Sequence, residues 1–304
     1  MALLVAMASS ASAQTRLVIV SGLGGAPKYT KEFADLANTM ANAAKERAGL
    51  QDSSIAWYGD PAAPRSKWFR GPSLKDTLES VLARLAQRPI NEQLVLVLIG
   101  HGSGEAEDTK ISLPGPDLAA RDFKRMLASF GARRVAFVNL TSASGDMMGV
   151  LAAPGRVVIT ATKSAFERNE SHFGEFFITA FAKDGADTDK DNRVSLLEAF
   201  AYAEAETKRL YDADSRMLTE HSQIADVSGV AKQFFLTPGA LHHGAADARL
   251  TALYNDRAAL DDSIQALKAK KTTMAGDAYE SALERLMIAL AQNAQEIRKL
   301  EKGS

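Results

Sequence analysis

Between residues 16 and 183 the chain alternates short, continuously apolar runs with stretches of helical periodicity, and this alternation restricts its fold most strongly. The runs are Arg16-Leu-Val-Ile-Val20, Ile55-Ala-Trp-Tyr58, Leu94-Val-Leu-Val-Leu-Ile99, 135–139 and Arg156-Val-Val-Ile-Thr160. A strand with no polar alternation is one buried on both faces, as in a parallel sheet. Helical spacing is carried by Phe33, Leu36, Ala37, Met40 and Ala44 in 31–47, and by Leu74, Leu78, Val81, Leu82 and Leu85 in 74–87. Two further helices are expected at 117–130, with Phe123, Met126, Leu127 and Phe130 on one face, and at about 171–183. Strands alternating with helices of this length predict βαβ units and a mostly parallel sheet flanked by helices, an α/β class. Ser73 is placed to cap the second helix. Residues 61–72, with Pro61, Pro64, Gly71 and Pro72, and the polar stretch 103–116 read as loops.

The ends of the chain differ from this pattern. Ala2-Leu-Leu-Val-Ala-Met7 followed by Ser9-Ser-Ala-Ser-Ala13 reads as the apolar region and cleavage site of a secretory signal, without its basic start. It predicts an exported protein, periplasmic or secreted, with Gln14 near the mature start. Neither that run nor any later one has the length of a membrane span. After residue 245 Leu253, Leu260, Leu267 and Met274 recur every seventh position, joined by Leu250 and Ile264. Leu283, Leu290 and Ile297 repeat the spacing, joined by Tyr279, Leu286 and Leu300. This predicts a C-terminal helical hairpin or coiled coil over 247–302 with a turn near Gly276. It packs on the first domain or provides self-association. The expected organisation is a signal peptide at 1–13, an α/β domain at 14–240 and the helical extension.

Two strand ends carry reactive side chains. Gly100-His101-Gly102-Ser103-Gly104 follows one run, and Leu140-Thr-Ser142-Ala-Ser-Gly-Asp146 follows the next. Right-handed crossovers put both ends at one edge of a parallel sheet, where open α/β sheets hold their ligands. The formal net charge is −1, which carries no basic excess for nucleic acid. The chain has no cysteine, which excludes disulfides, thiolate metal sites and thiol catalysis. An esterase-type elbow is also missing, because Thr141-Ser-Ala-Ser-Gly145 lacks the first glycine of G-x-S-x-G. Ser21-Gly-Leu-Gly-Gly-Ala-Pro27 has proline where a dinucleotide fingerprint needs its third glycine. It reads as a plain turn. His172, His221, His242 and His243 sit in no recognisable motif.

Over residues 16–210 the strand order, the His-Gly dipeptide and the stretch Leu140-Thr-Ser-Ala-Ser-Gly-Asp-Met-Met148 together resemble the legumain/caspase-like cysteine peptidases. In that family the nucleophile lies in a motif like E-A-C-E-S-G-S-M-M. Ser144, Gly145, Met147 and Met148 fall into its register, and Ser142 stands where the cysteine would be. The resemblance implies a caspase-like sandwich and endopeptidase action on a protein or peptide. It implies His101 as general acid and base, Gly102 N–H as an oxyanion contact and Ser142 as the nucleophile position. The family also carries substrate-pocket residues where Lys163-Ser-Ala-Phe-Glu-Arg-Asn-Glu170 stands, without assigning roles within that stretch.

The serine changes the chemistry. A thiol, with a pKa of about 8.5, yields thiolate in a modest field. A hydroxyl needs a base hydrogen-bonded to it and a third group orienting that base. Glu105, Asp108 and Asp146 are merely near in sequence. Three readings follow: a catalytically degraded peptidase homologue, an active Ser142-dependent hydrolase, and a non-enzymatic peptide- or protein-binding module. An engineered Cys→Ser form of a working cysteine peptidase is a separate alternative.

Asp187-Thr-Asp-Lys-Asp-Asn-Arg-Val-Ser-Leu-Leu-Glu198 matches the twelve-residue EF-hand calcium loop. Asp187, Asp189 and Asp191 would give carboxylate oxygens, Arg193 its carbonyl, Ser195 a direct or water-bridged contact and Glu198 a bidentate carboxylate. Asn192 replaces the usual glycine and tolerates the left-handed conformation. Bound Ca²⁺ would tie the next helix to the sheet. An Asp-rich turn capping that helix is the alternative.

Overall fold

The computed structural model describes residues 14–189, 191–237, 248–271 and 273–302. The chain divides into two compact units at 238/239. The signal-like segment, the Pro238 linker and the paired histidines 242 and 243 lie outside the described residues.

The first unit opens with β1 (Thr15–Ser21), α1 (Pro27–Glu46), β2 (Ile55–Gly59), β3 (Phe69–Pro72), α2 (Lys75–Ala86) and β4 (Gln93–Ile99). The short strands β5 (Gly102–Ser103), β6 (Lys110–Ile111) and β7 (Leu118–Ala119) follow, then α3 (Ala120–Ala128) and β8 (Val135–Asn139). It closes with α4 (Met147–Leu151), β9 (Arg156–Thr160), α5 (Phe173–Ala182), α6 (Leu196–Ala213) and β10 (Gln223–Asp226). The main sheet has seven strands in the order β10-β9-β8-β4-β1-β2-β3, parallel except for β10. A three-stranded antiparallel sheet, β5-β6-β7, lies beyond the end of β4.

The alternation within each apolar run decides which layer a side chain enters, because neighbouring residues point to opposite faces. Leu17, Ile19, Val95, Val97, Ile99, Ala136 and Val138 join the core made with α1, α5 and α6. Val18, Val20, Leu94, Leu96, Leu98, Val135 and Phe137 join the core made with α2 and α3. Every residue of β4 and β8 is buried. Each such Val, Leu or Ile contributes about 1.5–3 kcal/mol.

Four local expectations need correction. Residues 61–72 contain edge strand β3, whose Pro72 is tolerated because an edge needs no donor on its open side. The stretch 103–116 contains β6 and the end of β5. Ser73 does not cap α2: Leu74 is the N-cap, and the buried Ser73 hydroxyl donates to Ser21 O at 2.8 Å. Helix α1 starts at Pro27, whose fixed φ and missing N–H suit a first helical position, which explains the broken glycine fingerprint.

The second unit holds α7 (Ala248–Ala269) and α8 (Gly276–Lys302). Ile297 packs with Leu253 and Leu300, and Asn293 Nδ2 donates to Leu253 O at 2.8 Å. Ile264, Leu267 and Tyr279 from the heptad positions are also buried. Among the described residues no helix is long and apolar enough to cross a membrane.

Candidate functional site

Strands β4 and β8 are parallel neighbours, with Leu98 opposite Asn139. His101 and Ser142 therefore leave the sheet at the same level, each three residues beyond that pair. Gly100 makes the first turn at φ 151°, a conformation open to glycine. His101 O then accepts from Ser112 N at 3.0 Å, which seats the His-Gly segment against the small sheet. After β8, Leu140 N donates to Leu98 O and Thr141 N to Asn139 Oδ1.

The Ser142 loop is clamped on both sides. Ala143 has φ 51°, a strained value for a residue with a side chain, and its N–H donates to Glu167 O at 2.8 Å. Ser144 and Gly145 N–H both donate to Thr162 Oγ1. On the other flank Gly102 touches the loop so closely that a Cβ there would lie 2.2 Å from Ser142 O. Glycine at 102 is thus a packing requirement.

Ser142 is 8% exposed, and its Oγ accepts from Gly102 N–H at 3.3 Å. Among the described residues no hydrogen bond links Ser142 to His101. The half-buried His101 ring instead packs edge-on against Tyr29 and Phe33, with centroids 4.8 and 5.1 Å away. The three nearby acids are occupied elsewhere. Asp146 accepts from Ala106 N, Glu105 faces Arg168, and Asp108 pairs with Arg121. The neighbouring Thr141 Oγ1 is buried with no hydrogen-bond partner among the described residues.

A cleft opens beside this pair. Its lining includes Tyr29, Glu32, Phe33 and Leu36 from α1, Leu140 and Ser142 from the β8 loop, and Glu170, His172 and Glu175 around the start of α5. Burial, followed by the charges of Glu170 and Glu175, pushes the Glu32 carboxyl above its ordinary range. The wall from 170 to 173 is held by buried Glu220, whose carboxylate accepts from Ser171 Oγ, His172 N and Phe173 N. Sequence reasoning missed Glu32 and Glu175, and reached Glu170 only as the last residue of the stretch in which the resemblance expects pocket residues, with no role assigned. The available signal was the spacing of Tyr29, Phe33 and Leu36, which puts a second aromatic face beside Glu32.

No family model and no curated protein matches this chain.

The acidic loop lies before α6. The carboxylates of Asp187, Asp189 and Asp191 bring oxygens within 4.8 Å of one another, the only such metal-capable group among the described residues. Asp187 accepts from Asp191 N at 3.1 Å and Asn192 N at 2.8 Å. Asn192 is left-handed at φ 62°. Burial raises the Asp187 carboxyl. Burial, reinforced by Asp189, pushes Asp191 up to about 6 against the pull of Arg193. The Arg193 guanidinium holds Asp191 Oδ2 at 2.8 Å and lies 3.8 Å from the Phe235 ring centroid.

Ser195 and Glu198 lie at the start of α6, and Glu198 Oε1 also accepts from Asp189 N at 3.4 Å. Ser195 is the N-cap of α6 and forms a capping box with Glu198. Glu198 Oε2 accepts from Ser195 N and Oγ, and Oε1 from Thr188 N and Oγ1. Burial pushes Glu198 up, but these hydrogen bonds together hold it below the ordinary carboxylate range.

Proposed function

We propose that the chain is a legumain/caspase-like peptidase homologue whose His101–Ser142 cleft binds a peptide without cleaving it. The parallel β4–β8 pair and the level exit of its two loops support the resemblance. One observation carries the loss of turnover: the Ser142 hydroxyl accepts from Gly102 N–H and has no hydrogen bond to His101, whose ring is seated on aromatics rather than on an acid. A serine so placed lacks the base that would take its proton. Gly102 N–H would turn from Ser142 Oγ to meet a bound peptide carbonyl. A fluorophosphonate probe tests this, with Ser142→Ala as the comparison. The reading expects no Ser142-dependent labelling. Labelling lost in Ser142→Ala would instead support an active Ser142 hydrolase.

We propose in addition that the acidic loop takes Ca²⁺. The Asp187–Asp189–Asp191 convergence supports this, as does the left-handed Asn192 at the turn. Asp187, Asp189 and Asp191 would hold the ion, with the Arg193 carbonyl, Ser195 and Glu198 completing the set. Calcium at millimolar concentration should raise the melting temperature, and Asp189→Ala should abolish the rise. An unchanged melting temperature counts against the site.

The paired heptads of α7 and α8, with Met287 and Ile288 left exposed on α8, favour coiled-coil-type self-association of the second unit. Sedimentation equilibrium of the full chain, against Ile288→Glu, tests it.

A further inference from the structure

We propose that the cleft beside His101 and Ser142 receives a cationic side chain, a lysine or arginine of the bound peptide. This rests on the reading of the cleft as a peptide site and names what that site selects.

The cleft combines two kinds of surface. Phe33, Leu36 and Leu140 are apolar, and Tyr29 adds an aromatic ring. Glu32, Glu170 and Glu175 bring three carboxylates, while the lining holds no lysine or arginine. An aliphatic stem ending in a cation suits both surfaces at once. The methylenes pack on the apolar wall, and the head meets the carboxylates. Tyr29 can add a cation–π contact.

Three further observations point to a ligand of this kind. First, Glu32 is the least exposed of the three carboxylates, and its burial together with the charges of Glu170 and Glu175 outweighs the pull of Lys28 and His101, so its charge is only partly compensated within the protein. Second, Lys28, the residue before Tyr29 in α1, makes the same kind of pairing with the protein's own atoms. Its Nζ lies 4.9 Å over the Tyr29 ring and 3.8 Å from Glu170 Oε1. Third, the more than nine-tenths buried Ser142 hydroxyl lines the same cleft and donates to no described residue. Its proton is left for a ligand acceptor such as a peptide carbonyl. A metal ion does not explain the carboxylates. Among the described residues only the Asp187 group brings three metal-capable ligand atoms within 4.8 Å of one another.

The test measures fluorescence anisotropy of labelled tetrapeptides that differ at one position, carrying Arg, Lys, citrulline, norleucine or Asp, on the unaltered full chain. Arg and Lys peptides should bind about tenfold more tightly than the citrulline and norleucine peptides. Glu32→Gln should remove most of that gap and leave norleucine-peptide affinity unchanged, which a damaged fold would not do. Equal affinities, or preference for Asp, would overturn the cationic assignment while leaving the peptide site standing. Binding of neither the peptides nor agmatine would overturn both. Agmatine binding without any peptide binding would place a free amine in the cleft and overturn the peptide assignment.

Discussion

The acidic loop and the His101–Ser142 cleft differ in how their polar groups are spent. In the loop, protein donors already hold the acids: Arg193 holds Asp191, Ser195 and Thr188 hold Glu198, and backbone N–H groups hold Asp187. At the cleft, the Ser142 proton, the His101 ring nitrogens and Thr141 Oγ1 have no hydrogen-bond partner among the described residues. A self-satisfied loop stabilises the fold by itself, and an ion there must displace existing contacts. An under-satisfied cleft leaves polar groups open to water or to a ligand.

Removing the loop's internal counter-ion would break this contrast most sharply. Arg193→Ala leaves the 3% exposed Asp191 without its guanidinium. It should cost about 3 kcal/mol in chelator, measured by denaturant unfolding. If calcium takes over the role of Arg193, it should restore more stability in the variant than in the unaltered chain. Gly102→Ala acts on the cleft. A Cβ 2.2 Å from Ser142 O and 2.6 Å from Thr141 Oγ1 forces the two strand-end loops apart. The expected cost is about 2 kcal/mol, together with loss of peptide binding. The smallest effect belongs to Ser195→Ala. Loss of the α6 cap should cost about 1 kcal/mol with cleft binding unchanged, and that result would show the two regions to be energetically separate.

How legible each region was follows from the range of its interactions. The five apolar runs proved to be sheet strands because burial on both faces leaves a continuous apolar signature. The level exit of His101 and Ser142 followed from strand adjacency alone. The acidic loop is twelve consecutive residues, so its spacing was visible directly. Strand β3 was hidden because Gly71 and Pro72 resemble turn residues, and an edge strand pairs on one side only. Strand β10, Gln223–Asp226, has little apolar content and is recruited by pairing with β9. The cleft glutamates come from α1 and the start of α5, more than a hundred residues apart. Only the packing of those two helices on the same face of the sheet brings Glu32 near Glu170 and Glu175. The capture of Ser73 by Ser21 O is likewise a tertiary contact that outcompetes a local cap.

The central claim is that the cleft keeps the geometry of a histidine–thiol site and is silenced by the serine. The chain has no native cysteine, so Ser142→Cys introduces a thiol that can be followed alone. Its alkylation by iodoacetamide, measured against pH with and without His101→Ala, reads that geometry directly. The account predicts an inflection well below the ordinary thiol value of about 8.5, shifted back to it by His101→Ala. An ordinary thiol profile that His101→Ala leaves unchanged would contradict it.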